Sequence, residues 1–153
     1  MDIQDIIKEA IIIGETATFK EAIELMVKKR TNSVLVVNTD GVLTGEIHIS
    51  DILDAIVPEY LDGDSIAAHF TSGEMFEEAV KDASDIQVQW FMSKDVTAIE
   101  PSDGLMSVAA TAIAKKKAHI PVVDSAQHPI GIISRRGIKH IIAGILGIRD
   151  TED

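Results

Sequence analysis

Cysteine is absent from the 153 residues, which excludes disulfides, thiolate zinc sites and cysteine nucleophiles together, and fits a reducing compartment. Aromatic residues are scarce at 4% against 46% hydrophobic residues, so a core has to be built from Ile, Val, Ala and Leu rather than from large rings. No apolar run approaches the length of a membrane span, and the opening MDIQDIIKEA carries acids where a secretory signal carries positive charge. These features lead us to expect a soluble, cytoplasmic chain with no membrane association. Basic residues are also few, 14 against 25 acids for a net charge of −11, which argues against nucleic acid because duplex binding depends on neutralising phosphates. No phosphate-binding glycine loop, dinucleotide glycine pattern or nucleophile motif occurs, so no catalytic residue and no catalytic cofactor are expected, and the chain is not read as an enzyme. The histidines, at 48, 69, 119, 128 and 140, lack metal-ligand spacing, and no metal site is expected.

What the sequence does contain is an internal duplication. Residues 11–56 recur at 97–142 with a constant offset of 86 and no gap. Val34-Leu35-Val36-Val37, a turn, and Val42-Leu43-Thr44-Gly45-Glu46-Ile47 correspond to Ile120-Pro121-Val122-Val123, a turn, and Pro129-Ile130-Gly131-Ile132-Ile133. The same offset pairs Ile13 with Ile99, Lys29 with Lys115, Ile52 with Ile138 and Ile56 with Ile142. Acidity is concentrated between the copies, where residues 58–93 hold eight acids and one base, while residues 94–153 are nearly balanced and could hold an anion.

Each copy shows the same order of local signals. Thr18-Phe19-Lys20-Glu21 forms a capping box that starts a helix with apolar Phe19, Ala22, Ile23, Met26 and Val27 at helical spacing. Lys28-Lys29-Arg30 then place positive charge at the C-terminal end of the helix dipole. The counterpart runs through Leu105, Val108, Ala109, Ala112 and Ile113 to Lys115-Lys116-Lys117, read by the same dipole argument as a solvated basic run. After the second strand, Ser50 is expected to cap a short helix through Ile56, and Ser134 one through Ile142, with Gly144 and Gly147 beyond. The fold class is therefore α/β (α+β), two β-α-β-β-α units, with boundaries 1–57 for the first, 58–93 for an acidic helical insertion, 94–148 for the second and 149–153 for a tail. Within the insertion, Ser72 is expected to cap a helix over Gly73–Val80 and Ile86–Met92 to form another. Trp90, Phe91 and Met92 could pack in the core or across a dimer interface.

The order of elements, with Ile120-Pro121-Val122-Val123-Asp124 and Gly131-Ile132-Ile133-Ser134, resembles tandem cystathionine-β-synthase-type domains, the CBS pairs or Bateman modules. The resemblance covers both copies and leaves the insertion unexplained. It implies two units packed about a pseudo-twofold axis, an adenine nucleotide of the AMP, ADP or ATP class in the cleft between them, a homodimer, and signalling to a regulated partner protein that the sequence does not identify. The family's ligand junction is Gly-x-x-Thr/Ser-x-x-Asp, the hydroxyl residue serving ribose or phosphate and the acid serving ribose hydroxyls. Copy one has Gly45, His48 and Asp51 at those positions, and copy two has Gly131, Ser134 and Gly137, so neither motif is intact.

The resemblance therefore marks Asp51 for ribose and Ser134, Arg135 and Arg136 for phosphate, with the base lined by Ile13, Ser33 and Val34 or by Thr97, His119, Ile120 and Pro121. His48 is a further candidate for contact with the base. Each has a plainer reading: an acid in the first turn of a helix is favoured by the dipole alone, and partly buried histidines are common. Two arginines at a helix N-terminus stand against the dipole, which favours an anion-binding role. With the acid in one copy and the hydroxyl and arginines in the other, one functional cleft shared unequally is expected. The rival reading is a scaffold that binds no nucleotide and uses the acidic insertion for recognition.

Overall fold

A computed structural model describes residues 2–57, 73–115 and 119–149. The described residues form five α-helices and two small sheets. Copy one supplies β1 (Ile12–Gly14), α1 (Phe19–Lys29), β2 (Ser33–Val37), β3 (Leu43–His48) and α2 (Ile49–Ile56). Next comes α3 (Gly73–Ala83), and copy two supplies α4 (Leu105–Lys115), β4 (His119–Val123), β5 (Pro129–Ser134) and α5 (Arg135–Ile145). Shifting α1, β2 and β3 by 86 positions reproduces the bounds of α4, β4 and β5, so the sequence repeat is a structural repeat.

The chain divides into two compact units that are not contiguous in sequence. One holds residues 11–40, 44–57 and 73–95, and the other residues 2–10, 41–43, 96–115 and 119–149. In the first-copy unit the strand order is β1-β2-β3, with β1 parallel to β2 and Ile13 opposite Val36. Buried Val34, Leu35 and Val36 make β2 the central strand, as expected of a β-branched run covered on both faces. Thr18 caps α1 as its sequence requires: Glu21 N–H donates to Thr18 Oγ1 at 3.2 Å and Thr18 N–H to Glu21 Oε1 at 3.1 Å. Phe19, Ala22 and Met26 of that helix meet Ile47, Ile52 and Ile56 in one core.

The end of α3 and the segment after it contribute to this core. Ala83 and Val88 are buried in it. The helix expected over Ile86–Met92 is a single 3-10 turn, Val88–Trp90, because its flanks are claimed by other backbone: Val88 N–H donates to Ala17 O, and Ser93 exchanges two bonds of 2.9 Å with Glu46. Phe91 packs edge-on against Phe19, with ring centroids 5.7 Å apart, and Met92 lies on the core, whereas Trp90 is 74% exposed. The Ser72 cap lies outside the described residues.

In the second-copy unit β4 and β5 are antiparallel, and the first strand of the copy is reduced to one parallel bridge, Ile99 with Val122, at the positions equivalent to Ile13 and Val36. The N-terminal segment adds to this sheet. Lys8 and Ile132 exchange two backbone bonds of 2.8 and 2.9 Å, and Ile3 and Ile6 are buried in the second core beside Ile99, Val108, Val122 and Ile133. The two units therefore share a device: a chain segment lies across the last strand at its glycine. A Cβ on Gly131 would stand 2.5 Å from Ile7 Cγ2 and 2.8 Å from Lys8 O, and one on Gly45 would strike Met92 and stand 2.9 Å from Ser93 O. Close backbone approach, rather than an unusual dihedral angle, explains both glycines.

Candidate functional site

In the first-copy unit His48 and Asp51 stand at the start of α2, Ser33 and Val34 at the start of β2, and Ile13 on β1 opposite Val36. The α2 helix starts two residues earlier than a Ser50 cap would set it, with His48 in extended backbone (φ −107°, ψ 163°) as its N-cap. His48 N–H donates to Asp51 Oδ2 at 2.8 Å, so the acid of the third helical position satisfies the donor ahead of the helix. The dipole-and-cap reading of Asp51 is thus realised, and Oδ1 has no hydrogen-bond partner among the described residues. Ile49 N–H donates to Asn32 O at 3.0 Å, which ties this helix start to the residue preceding Ser33 and Val34. Ser33 N–H is held by Thr31 Oγ1 at 3.2 Å, Val34 is buried, and Ile13 lies half-buried on the neighbouring strand.

Sequence reasoning passed over Glu46. This carboxylate is 1% exposed and places Oε2 3.5 Å from His48 Nε2, an ion pair whenever the imidazole is protonated. The signal was present, since an acid interrupts an apolar strand where the other copy has Ile132.

In the second-copy unit, His119 stands directly opposite Ser134 in the β4–β5 register, and Ile120 and Pro121 follow it, both buried. The offset maps this His/Ser pair onto Ser33 and His48 with the two residue types exchanged. Ser134 caps α5, its Oγ accepting from Gly137 N–H at 3.1 Å, and the helix runs through Gly144 to Ile145, beyond the Ile142 end expected. Gly137, where the family pattern has an acid, is buried, and a Cβ there would meet Ile6 Cβ at 3.1 Å, a tight contact with the docked N-terminal segment.

Arg135 at this helix start has a local use. Arg135 Nη2 donates to Ala112 O at 3.1 Å, putting a cation on the last turn of α4, where the dipole favours it. Arg136 is exposed. Lys115 corrects the expectation of a solvated basic run: it is 7% exposed, and its Nζ donates to Thr97 O at 3.0 Å. Lys116 and Lys117 lie outside the described residues. Among the described residues no group of acids and histidines could hold a metal, and no helix is long and apolar enough to cross a membrane.

A repeated unit of two sheet strands between two helices, with a capped helix springing from the last strand of each, defines a tandem module. The model of the CBS domain matches residues 2–58 and 83–144, well over half of the chain, and the chain belongs to that family as a tandem CBS pair, or Bateman module. The second match begins at residue 83, consistent with the segment after α3 being part of the fold. Among curated relatives, the uncharacterized protein MJ1426 of Methanocaldococcus jannaschii is 30% identical, over 88% of this chain and 87% of its own. Among solved structures, a CBS domain-containing protein of unknown function from Kribbella flavida superposes with a TM-score of 0.76 at 18% identity, covering 94% of this chain and 99% of that one. CBSX2, a CBS-pair protein of Arabidopsis thaliana, has been solved in complex with AMP; that structure gives a TM-score of 0.68 at 19% identity, covering 95% of this chain and 98% of its own.

Proposed function

We propose that this CBS pair is a regulatory module that binds an adenine nucleotide of the AMP, ADP or ATP class and passes its state to a partner protein, acting as a homodimer. The observation that carries the reading is that His119 stands opposite Ser134 at one end of the β4–β5 sheet, with Thr97 on the segment bridged in parallel to β4 and Arg135 and Arg136 following, a ring, hydroxyls and cations suited to a base and a phosphate. The AMP complex of the similarly folded CBSX2 supports the ligand class. In the first-copy unit Asp51 is the ribose candidate: Oδ1 can accept from a sugar hydroxyl while Oδ2 keeps the helix cap. Regulation would follow from unequal affinity for two arrangements of the module, since a ligand that binds both equally shifts nothing. Calorimetric titration with AMP, ADP and ATP tests the reading, and saturable heat with at least one of them is expected. Flat titrations with all three, together with an unchanged melting temperature, would rule it out.

One observation favours the rival reading of a scaffold that binds no nucleotide. Gly137 stands where the family pattern has an acid, so the second copy presents no carboxylate there. Asp51→Ala separates the two, because a sensor loses ribonucleotide affinity and a scaffold keeps its partner.

A further inference from the structure

The buried ammonium of Lys115 follows from a difference between the copies. In copy one the first strand is anchored at its start by backbone: Leu35 N–H donates to Ile11 O at 2.8 Å. The offset of 86 turns Ile11 into Thr97 and Leu35 into Pro121. Proline has no N–H, so β4 cannot supply this bond. The rest of the ladder persists, with Ile99 N–H on Pro121 O at 3.0 Å and Val123 N–H on Ile99 O at 2.8 Å. Lys115 Nζ donates to the Thr97 carbonyl at 3.0 Å.

The burial of Lys115 is specific to this copy. Its counterpart Lys29 occupies the same helical position and is exposed. An ammonium withdrawn from water needs such a partner, and the last turn of α4 adds a favourable dipole.

We infer that Lys115 is a positioning residue that takes the place of the N–H missing at Pro121 and holds Thr97 at the edge of the proposed nucleotide site. The inference rests on the nucleotide reading only for its functional half. The structural half, an exchange of a side-chain donor for a backbone donor, stands without any ligand. A side chain held this way fixes the Thr97 peptide.

Both halves are tested with the full chain. Lys115→Met keeps the aliphatic length and removes the donor; Lys115→Arg keeps a cationic donor; Pro121→Leu restores the N–H that copy one has at Leu35. Melting temperatures of the wild type, Lys115→Met, Pro121→Leu and the double variant form a cycle. Lys115→Met is expected to lower the melting temperature when Pro121 is present and clearly less when it is combined with Pro121→Leu. Equal losses in both backgrounds overturn the exchange.

Calorimetry with AMP, ADP and ATP then compares the wild type with Lys115→Met and Lys115→Arg. About a tenfold weaker affinity is expected for Lys115→Met, since a charged hydrogen bond is at stake, and most of it should return with Lys115→Arg. A wild type that binds while Lys115→Met, folded, binds equally well overturns the positioning role. A wild type that binds none of the three defeats the nucleotide reading and leaves the melting cycle to decide the exchange. If Lys115→Met alone fails to fold, the double variant supplies the folded protein: recovery of folding supports the exchange, and failure of both contradicts it.

Discussion

Gly131→Ala isolates the docking of the N-terminal segment on the second-copy unit. The added methyl would stand 2.5 Å from Ile7 Cγ2 and 2.8 Å from Lys8 O. The Ile7 methyl can turn away. The Lys8 carbonyl cannot move freely, because it accepts from Ile132 N–H at 2.9 Å while Lys8 N–H donates to Ile132 O at 2.8 Å. Relief of the clash therefore stretches one or both bridge bonds, each worth about 0.5–1.5 kcal/mol. That agrees with the about 1–3 kcal/mol typical of overpacking a filled site. For a chain of this size the loss corresponds to a fall in melting temperature of about 2–12 °C. Thermal denaturation followed by circular dichroism reads the fall, and amide exchange at Lys8 and Ile132 should quicken selectively. Gly14→Ala is the control, since a Cβ there meets nothing within 4 Å. A Gly131→Ala protein that melts within about 1 °C of the wild type with unchanged exchange at both amides would refute the close-approach argument.

Thr18→Ala removes the acceptor of Glu21 N–H and should cost about 0.5–2 kcal/mol in chemical denaturation, without altering the slope of the transition. Asp51→Ala removes the acceptor of His48 N–H and the proposed ribose ligand together. It is expected to lower stability modestly and to weaken adenine ribonucleotide binding, and retention of full affinity would exclude Asp51 from the site. Asp124 is held below its ordinary value of 3.8 chiefly by the His128 backbone N–H, with the His128 ring and Ala126 N–H assisting against the desolvation that opposes them. A depressed carboxylate contributes stability that is complete above its unfolded value and lost as pH falls through the folded value, so the window lies below 3.8. An NMR titration of the Asp124 carboxyl should show a midpoint below that of a model peptide, and a midpoint at or above it would contradict the turn geometry.

Periodic and locally constrained features were readable in the sequence. The offset of 86 aligned Ile13 with Ile99 and Val36 with Val122, and those residues form equivalent pairs in the two units. Thr18 and Glu21 announced a cap because a capping box lies within four consecutive residues. Features that depend on distant backbone were not readable. The Ile86–Met92 stretch has helical spacing, yet bonds to Ala17, Glu15 and Glu46 draw its flanks into bridges. Lys115 carried a local explanation, the helix dipole, and its burial depends on what Pro121 lacks, a fact visible only when the copies are compared bond by bond. Ser50 looked like a cap because hydroxyl residues commonly are, while His48 took the position through the Asp51 carboxylate. The candidate residues fall into a set of five in one unit and a set of seven in the other.

Calorimetric titration of the intact chain with AMP, ADP and ATP, paired with melting temperatures in the presence of each, tests the proposed function most directly. The account predicts saturable heat with at least one of the three and a rise in melting temperature with the same nucleotide, as binding to the folded state requires. Flat titrations and unmoved melting temperatures with all three would contradict it.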